Sequence, residues 1–399
     1  MNPNTDFIPF ARPSYSAEEE EAVVSVIRSG WVTTGAVTAE FEKKVAEAAG
    51  VKYSLAVNSA TSGLHLALDA SGIKAGDYVI TSPYTFTATA EVIRYLDAHP
   101  LFADIEPETY NISTDRIEEL LNRKAAAGSL PSDAAIKAII PVHVGGELCR
   151  RPAILEMAGQ KGLAVIEDGA HLQPEPLLTD SESILVYSFY ATKCIATGEG
   201  GMIITNNAAA ADRMRTMRFH GIDREAWDRY RKPGKRAWEY DIIAPGYKYN
   251  LPDTASAIGL VQLHKADWMR KKRVEIAALY NESFSGYNFL KTPSFSGGSS
   301  RHLYILRIDS DRLTIDRDRM IDELTERGIG TSVHYKPLHL MTYYRNKYGL
   351  KPEDFPESLK KYETSFSLPI YPDLTESEIS RIIDAVLQIG KKYWRTKQA

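Results

Sequence analysis

Seven short apolar runs, rich in β-branched residues, alternate with helix-like stretches over the first half of the chain. They lie at residues 54–58, 78–82, 100–105, 138–143, 164–168, 184–189 and 201–205. Several of them are apolar at successive positions rather than at every second position. This pattern is typical of strands that are buried on both faces, so it predicts a mostly parallel sheet covered by helices on each side. The alternation of strands and helices indicates a doubly wound α/β architecture.

The pattern changes after about residue 250. A long helix is predicted at 253–284, and a Ser/Gly-rich break follows at 294–300. Further strands are predicted at 302–308 and 331–335, with helical patterns around them. This mixed order is typical of an α+β unit rather than a continuation of the doubly wound sheet.

Two domains are therefore expected. The large domain covers residues 1–252, with the first ~30 residues free to pack on the other domain, and the smaller α+β domain covers residues 253–399. Within the smaller domain, Thr375 precedes Glu378 in a capping-box pattern that predicts the start of the last helix.

Composition and charge argue against several classes of protein. With 48 basic and 52 acidic residues the net charge is −4, which provides no electrostatic footprint for nucleic acid. No apolar run approaches the ~20 residues that span a bilayer, and the N-terminal residues do not resemble a signal peptide. The two cysteines, Cys149 and Cys194, suit a reducing compartment. We expect a cytoplasmic protein without membrane or nucleic-acid partners and without a bound metal.

One lysine stands in an unusual place. Lys193 lies in the stretch SFYATKCIATGEGG, residues 188–201, directly between two apolar runs. An amine just past a buried strand is well placed to form a Schiff base with an aldehyde cofactor, of which pyridoxal 5'-phosphate (PLP) is the usual one. Considered alone, Lys193 also fits an ordinary loop lysine whose charge reaches solvent.

Two further segments are expected to meet this lysine. Asp168 ends the run at 164–168, and parallel sheets bind ligands at the carboxyl ends of their strands. A carboxylate there would favour a protonated pyridine nitrogen, although Asp168 could equally cap a turn. The segment NSATSGLHLAL, residues 58–68, leads from a strand into a helix whose N-terminus offers N–H groups to a phosphate. Simple helix capping by its Ser and Thr residues would explain the same segment.

Taken together, these motifs resemble the DegT/StrS family of sugar-nucleotide aminotransferases. The resemblance covers nearly the whole chain and also includes SGWVTTG (29–35), SPYTFTATAEVI (82–93), IIPVHVGG (139–146), IEDGAH (166–171), PGYKYNLPDTASAIGLVQL (245–263), SVHYKPLH (332–339) and SLPIYPDLTESE (367–378). The combination of the lysine loop with the GYKYN segment is the most specific part. The resemblance implies the fold type I architecture of PLP-dependent enzymes, with a seven-stranded, mostly parallel sheet in the large domain.

The resemblance also implies a role for each matching residue. Lys193 would hold PLP as an internal aldimine and then move the proton between the substrate carbon and the cofactor, while Asp168 would pair with the pyridine nitrogen. The other implied cofactor contacts are Phe86 and Ala170 on the two faces of the ring, His171 at the ring hydroxyl, Thr61, Ser62 and Ser188 at the phosphate, and Asn250 at the phosphate of the partner subunit. The last contact would make the active site a property of a homodimer.

Plainer interpretations exist for three of these residues. Phe86 is also compatible with a core aromatic, and His171 with a histidine in a loop. Asn250 is also placed to cap the helix predicted from residue 253.

The substrate is less constrained by the sequence. Arg229 and Arg231 lie in the basic, aromatic-flanked stretch at 229–240, which could clamp a nucleotide diphosphate or form a solvated loop. His334 is a second candidate on the substrate side, and it also fits a histidine at a strand end. The chain departs from the family pattern at Gly169, where alanine is usual, and at 172–183, which lacks the usual Gly-rich stretch. These departures leave the identity of the substrate open.

We therefore expect a PLP-dependent aminotransferase that moves an amino group from an amino acid, with glutamate as the expected donor, to a keto group of a nucleotide-linked sugar. The alternatives are a PLP-dependent sugar dehydratase or lyase and a non-catalytic, PLP-binding regulator of the same fold. Some family members that act as dehydratases carry histidine in place of the lysine. The presence of Lys193 favours transamination.

Overall fold

The computed structural model describes residues 6–122, 135–177, 181–223 and 239–395. Within these ranges the helices are α1 (Ala17–Ser29), α2 (Ala36–Ala49), α3 (Ala60–Ala70), α4 (Ala88–Tyr95), α5 (Thr114–Leu121), α6 (Arg151–Lys161), α7 (Ala208–Met217), α8 (Asp253–Phe284), α9 (Arg317–Glu326), α10 (Thr342–Tyr348), α11 (Pro356–Thr364) and α12 (Glu376–Lys392). The strands are β1 (Tyr53–Val57), β2 (Tyr78–Thr81), β3 (His99–Phe102), β4 (Ile136–Ile140), β5 (Ala164–Gly169), β6 (Ile184–Ser188), β7 (Gly201–Thr205), β8 (Leu290–Lys291), β9 (Tyr304–Ile308) and β10 (Ser365–Leu368).

Strands β1 to β7 form one sheet in the order β1-β7-β6-β5-β4-β2-β3. Strand β7 runs antiparallel to its neighbours β1 and β6, whereas every other neighbouring pair is parallel. The predicted seven-stranded, mostly parallel sheet is therefore confirmed.

Both faces of this sheet are buried, which explains the uninterrupted apolar runs. Ile203 of β7 packs into a core with side chains of α3, α4 and α7. The next residue, Ile204, packs into a core on the opposite face with side chains of α2 and α8. Helices α5 and α6 cover the rest of that second face, near β2 and β4. Since full burial of one such side chain contributes about 1.5–3 kcal/mol, an apolar residue is favoured at successive strand positions.

The smaller unit is built on the antiparallel sheet β10-β9-β8, and helix α8 connects it to the large sheet. Ala266, in the first half of α8, packs in the core of the large sheet. Tyr280 and Phe284, near its end, pack in the core of the smaller unit. Ile8 of the N-terminal segment also lies in this smaller core. Because one continuous helix serves both cores, the division at residues 252 and 253 stays a prediction.

Among the segments predicted after residue 300, one is not formed as predicted. The capping box of α12 is confirmed: the Glu378 N–H donates to Thr375 Oγ1 over 3.2 Å, and the Thr375 N–H donates to Glu378 Oε2 over 2.8 Å. The strand predicted at 331–335 is wrong, because only Ser332 pairs with the sheet, through Ser367. Beyond Ser332 the backbone turns to the large domain, where the His334 carbonyl accepts a hydrogen bond from the Tyr84 hydroxyl.

Among the helices in the described ranges, none has the length and apolarity to cross a membrane.

Candidate active site

A cavity of about 480 Å³ opens where β5 and β6 end, at the carboxyl edge of the parallel strands. The structure brings together around it most of the residues singled out in the sequence: Thr61, Phe86, Asp168, Ala170, His171, Ser188, Lys193 and His334. These residues come from five separate segments of the chain, so their meeting is a consequence of the sheet topology.

Lys193 reaches the cavity from a tight loop between β6 and β7. The Lys193 N–H donates to the Tyr190 carbonyl over 2.8 Å, and the Phe189 N–H donates to the Gly200 carbonyl over 2.9 Å. At Gly201 a Cβ atom would lie 2.8 Å from the backbone nitrogen of Ala60, so the loop can approach α3 only because this residue is glycine. Burial lowers the pKa of Lys193 from 10.5 to about 8, against the opposing effect of the nearby Asp168 charge.

Asp168 is held by two donors at the end of β5. Its Oδ2 accepts a hydrogen bond from Thr89 Oγ1 over 2.7 Å, and its Oδ1 accepts one from the Ala170 N–H over 3.1 Å. Thr89 is itself hydrogen bonded to Thr85 over 2.7 Å. Each carboxylate oxygen can accept a second hydrogen bond, so this buried side chain can still take a proton donor from the cavity.

The N-terminus of α3 forms another wall of the cavity. Ser59 is its N-cap, and Ser59 Oγ accepts a hydrogen bond from the Ser62 N–H over 3.1 Å. The N–H groups of Ala60 and Thr61, in the first turn, have no acceptor within the helix. Ser62 does not line the cavity, and its hydroxyl donates to Asn58 Oδ1 over 2.6 Å. Of the three phosphate contacts predicted within one subunit, Thr61 and Ser188 line the cavity, and Ser62 supports the turn behind it.

His171 lies on the cavity wall with both ring nitrogens engaged. Its Nδ1 accepts a hydrogen bond from the Gly145 N–H over 2.9 Å, and its Nε2 lies 2.8 Å from the Tyr335 hydroxyl oxygen. Burial, followed by the charge of Lys193, holds the pKa of His171 well below its usual value. His334 Nδ1 pairs with Ser367 Oγ over 2.9 Å, and burial lowers the pKa of His334 to about 3. Both histidines are therefore neutral at physiological pH.

The plainer interpretations of Phe86 and Asn250 do not hold. Phe86 lines the cavity with 61% of its surface exposed, so it is not a core residue. Asn250 does not cap α8, because its amide donates to Thr34 Oγ1 over 2.6 Å and it accepts from Lys248 Nζ over 2.5 Å. Asn250 is also absent from the wall of its own cavity.

The donor set around this cavity fits PLP. It combines a partly buried amine of lowered pKa, a buried carboxylate with free acceptor capacity and a helix N-terminus that can bind phosphate. No group of three or more His, Cys, Asp or Glu side chains in the described part of the chain is arranged to hold a metal ion.

Comparison with known proteins agrees with this chemistry. The model of the DegT/DnrJ/EryC1/StrS aminotransferase family matches residues 13–387. The chain belongs to this family. It is a PLP-dependent aminotransferase, and the expected family, fold type and cofactor are confirmed.

Similar proteins match the chain over nearly its full length. The uncharacterized protein MJ1066 of Methanocaldococcus jannaschii is 43% identical over 392 residues, which are 96% of this chain and 97% of that protein. The spore coat polysaccharide biosynthesis protein SpsC of Bacillus subtilis is 40% identical over 96% of this chain and 97% of its own length. Among solved structures, Helicobacter pylori PseC, an aminotransferase involved in the biosynthesis of pseudoaminic acid, has a TM-score of 0.85 at 27% identity and covers 97% of this chain and 100% of its own. The proposed sugar aminotransferase Spr1654 from Streptococcus pneumoniae, solved in its PMP form, has a TM-score of 0.85 at 29% identity, with 96% and 99% covered.

Sequence reasoning did not name several cavity residues of this aminotransferase, namely Thr85, Tyr190, Glu199 and Tyr335. Ser59 belongs to the predicted phosphate segment, and a serine directly before a helical pattern is a sequence signal for a helix N-cap. Tyr335 follows His334 in the SVHYKPLH motif, but nothing in the sequence links it to His171. Arg229 and Arg231, the predicted diphosphate clamp, lie outside the described residues.

Proposed function

We propose that this aminotransferase moves the amino group of an amino acid, with glutamate as donor, to a keto group of a nucleotide-linked sugar, with Lys193 as its catalytic base. The observation that carries the proposal is the pairing of Lys193 and Asp168 in one cavity beside the N-terminus of α3. Each group matches one part of the cofactor: the aldehyde, the ring nitrogen and the phosphate.

The cavity residues would divide the work as follows. Lys193 holds the cofactor through its amine, Asp168 pairs with the ring nitrogen, and Thr61 with Ser188 binds the phosphate. When bound, PLP supplies an electron sink that stabilises negative charge at the substrate carbon. Once the amino donor has taken the place of Lys193 on the cofactor, the freed Lys193 Nζ would remove the α-proton of the donor. In the cofactor-free protein its pKa of about 8 leaves a neutral fraction at physiological pH. In the second half-reaction the same atom returns a proton to the sugar carbon.

The proposed substrate class is supported by the names under which similar proteins are described. SpsC is a spore coat polysaccharide biosynthesis protein, and PseC takes part in the biosynthesis of pseudoaminic acid. DesI, with a TM-score of 0.81 at 25% identity, was solved in the presence of its TDP-sugar product. These names support an amino-sugar product on a nucleotide carrier.

The reaction class can be tested with the purified protein. Glutamate alone should shift the visible absorption band of the bound cofactor and release 2-oxoglutarate in an amount equal to the enzyme, and a keto-sugar nucleotide should then reverse the shift. Lys193→Ala and Lys193→Arg should bind cofactor without this conversion, whereas Lys74→Ala, at an exposed lysine away from the cavity, should behave like the wild type. Release of ammonia instead of the keto acid would favour a lyase or dehydratase. No conversion with any amino donor would favour a regulator.

We also propose a homodimer in which Asn250 completes the cavity of the partner subunit. Asn250 is hydrogen bonded to Thr34 and Lys248 and does not line its own cavity. Apolar side chains that are about half exposed, including Tyr240 and Ile242, lie in the same stretch of chain and would be covered by a second copy.

Subunit mixing tests this arrangement. In a hybrid of Lys193→Ala and Asn250→Ala subunits, one of the two sites would be complete if Asn250 serves the partner. Random mixing of two inactive variants should therefore restore about one quarter of the wild-type activity, because half of the dimers are hybrids and each has one intact site. A mixture as inactive as its components would refute the shared site.

A reducing, cytoplasmic location remains part of the proposal. Cys149 and Cys194 are both free and buried, which suits such a compartment.

A further inference from the structure

Two arginines in the middle of α8 have buried donor atoms without acceptors. Arg273 is only 4% exposed, and its Nε and Nη1 atoms are buried with no hydrogen-bond partner among the described residues. Arg270 lies three residues earlier, on the same face of the helix, and its Nε atom is buried in the same condition. The ion pairs that α8 forms within the described ranges are made by Lys265 and Lys272 instead. Because a guanidinium stays charged at physiological pH, α8 buries positive charge that these residues do not neutralise.

The groups that surround Arg273 add positive charge rather than remove it. Burial and the charge of Lys193, followed by the charge of Arg273, hold the pKa of His302 well below its usual value, so this buried ring is neutral. Arg301, from the loop that precedes β9, lies near Arg270, whose charge acts with burial to lower the pKa of Arg301. Three arginines and a neutral histidine therefore meet where α8 passes the loop at 299–302.

The carboxylates of this region do not balance Arg273. Glu147 lies 4.0 Å from Arg301 Nη1 and accepts hydrogen bonds from the Ser296 N–H over 3.0 and 3.1 Å, so it serves the outer arginine. Glu175 lies near Arg270, but burial raises the pKa of Glu175 against the effect of that charge. Within the part of the chain that the structure describes, neither carboxylate forms an ion pair with Arg273.

A buried charge without a partner is among the costliest features that a fold can contain. Buried charges in native proteins are therefore paired with an opposite charge or bound to an ion. A water molecule could accept from one N–H group of Arg273, but it would leave the charge itself uncompensated. An anion supplies both an acceptor and a negative charge, and the neighbouring Arg270 and Arg301 would attract it further.

We propose that a small inorganic anion binds at the Arg273 guanidinium, between α8 and the loop at 299–302. The bound anion supports the wall of the cofactor cavity from behind. In that wall Ser300 Oγ donates to the His171 carbonyl over 2.6 Å, and the His302 ring centroid lies 4.6 Å from that of His171. The site is separate from the α3 N-terminus, and its existence does not depend on the amino donor or the sugar.

Thermal unfolding of the PLP-loaded protein tests the proposal, because the cofactor then occupies the α3 site. At constant ionic strength, gluconate, which is too large for a buried site, is replaced stepwise by chloride or, in a second series, by phosphate. The unfolding midpoint of the wild type should rise by about 1–2 °C for each tenfold increase in the bound anion above its dissociation constant. A rise in both series indicates a general small-anion site, and a rise in one series alone identifies the preferred anion.

Arg273→Met separates this effect from a general effect of salt. Methionine keeps much of the apolar stem and removes the charge, so the midpoint should no longer respond to the anion. In gluconate alone the variant should melt at or above the wild type, because an uncompensated buried charge has been removed. Lys272→Met is the matched control: it removes the same charge from the adjacent, more exposed position and should keep the full response. No response in the wild type, or an equal response in Arg273→Met, would overturn the proposal.

A crystal soaked in bromide provides a second test that needs no variant. Bromide replaces chloride and is located by its anomalous scattering, so the proposal requires an anomalous peak within hydrogen-bond distance of the Arg273 guanidinium. For a site that prefers phosphate, a crystal soaked in phosphate should show tetrahedral density at the same place. An ordered water or a carboxylate of this chain in that position would refute the anion site, whatever the enzyme is found to catalyse.

Discussion

Lys193 of the cofactor-free protein should react as an amine that loses its proton near pH 8 rather than near 10.5. The cause is burial, which removes water from the charged form of the side chain. At pH 7 an amine with a pKa of about 8 is roughly 9% neutral, whereas an ordinary lysine is about 0.03% neutral, a ratio of about 300. Only the neutral amine can attack an aldehyde, so this ratio measures how far the fold prepares Lys193 for its cofactor.

The nearby Asp168 opposes the effect of burial on the pKa of Lys193, so removing its charge should change that pKa in a defined direction. The negative charge of Asp168 raises the pKa of Lys193, so Asp168→Asn should move the reactive midpoint to a lower pH. Asparagine suits the site, because its carbonyl oxygen can keep the Ala170 N–H and the Thr89 hydroxyl can turn to accept from its amide.

Acetylation in competition provides the assay. Cofactor-free protein is treated with a limiting amount of an acetylating reagent at a series of pH values, and mass spectrometry compares Lys193 with the exposed Lys74 in the same sample. The expected midpoint for Lys193 is near pH 8. A midpoint close to 10.5 would refute the role of burial, and a rise in the Asp168→Asn protein would refute the assigned charge effect.

Two stability predictions follow from the supports of the site. Gly146→Ala should destabilise the protein by about 2 kcal/mol or more and impair cofactor binding, because a Cβ would overlap Ser300 Oγ and lie 3.0 Å from the His171 carbonyl oxygen at a φ of 87°. Gly159→Ala in α6, where a Cβ meets no atom within 4 Å, should be neutral or slightly stabilising, and equal melting temperatures for the two variants would contradict this reasoning. Asp253→Ala should cost about 2–3 kcal/mol, because the buried Asp253 carboxylate accepts hydrogen bonds from the Gly35, Val37 and Thr38 N–H groups at the start of α2. Ser113→Ala, at the partly exposed N-cap of α5, should cost about 1 kcal/mol, and an Asp253→Ala loss no larger than this in denaturant unfolding would argue against the inter-helix cap.

The parts of the fold that could be predicted are those with a local signal. The apolar runs around Ile203 and Ile204 predicted strands buried on both faces, and the structure has a core on each side of them. Helix α8 was predicted with the bounds observed, and the start of α12 was predicted from its capping box. The strand predicted at 331–335 failed because His334 and Tyr335 make contacts with Tyr84 and His171 of the large domain. A periodicity cannot distinguish such contacts from contacts within a sheet.

In the candidate site, too, only the residues with a local sequence signal could be predicted. Lys193 and Asp168 could be named because Asp168 ends one apolar run and Lys193 closely follows another, and parallel strands end at one edge of a sheet. The side-chain partners could not be named, because their contacts join distant parts of the chain. Thr89 meets Asp168 across 79 residues, and nothing around Thr89 marks it as a donor for that carboxylate.

The amino-acid sequence alone therefore determined the sheet, the main helices and the position of the reactive lysine, since hydrophobic periodicity and helix caps act over a few residues. Only the tertiary structure decided that Tyr335 meets His171 across 164 residues and that Asp253 caps α2 across 218. The physical reason is that such contacts depend on how whole elements pack on the two faces of the sheet. A hydrogen bond of a few ångströms forms only after that packing has brought donor and acceptor together.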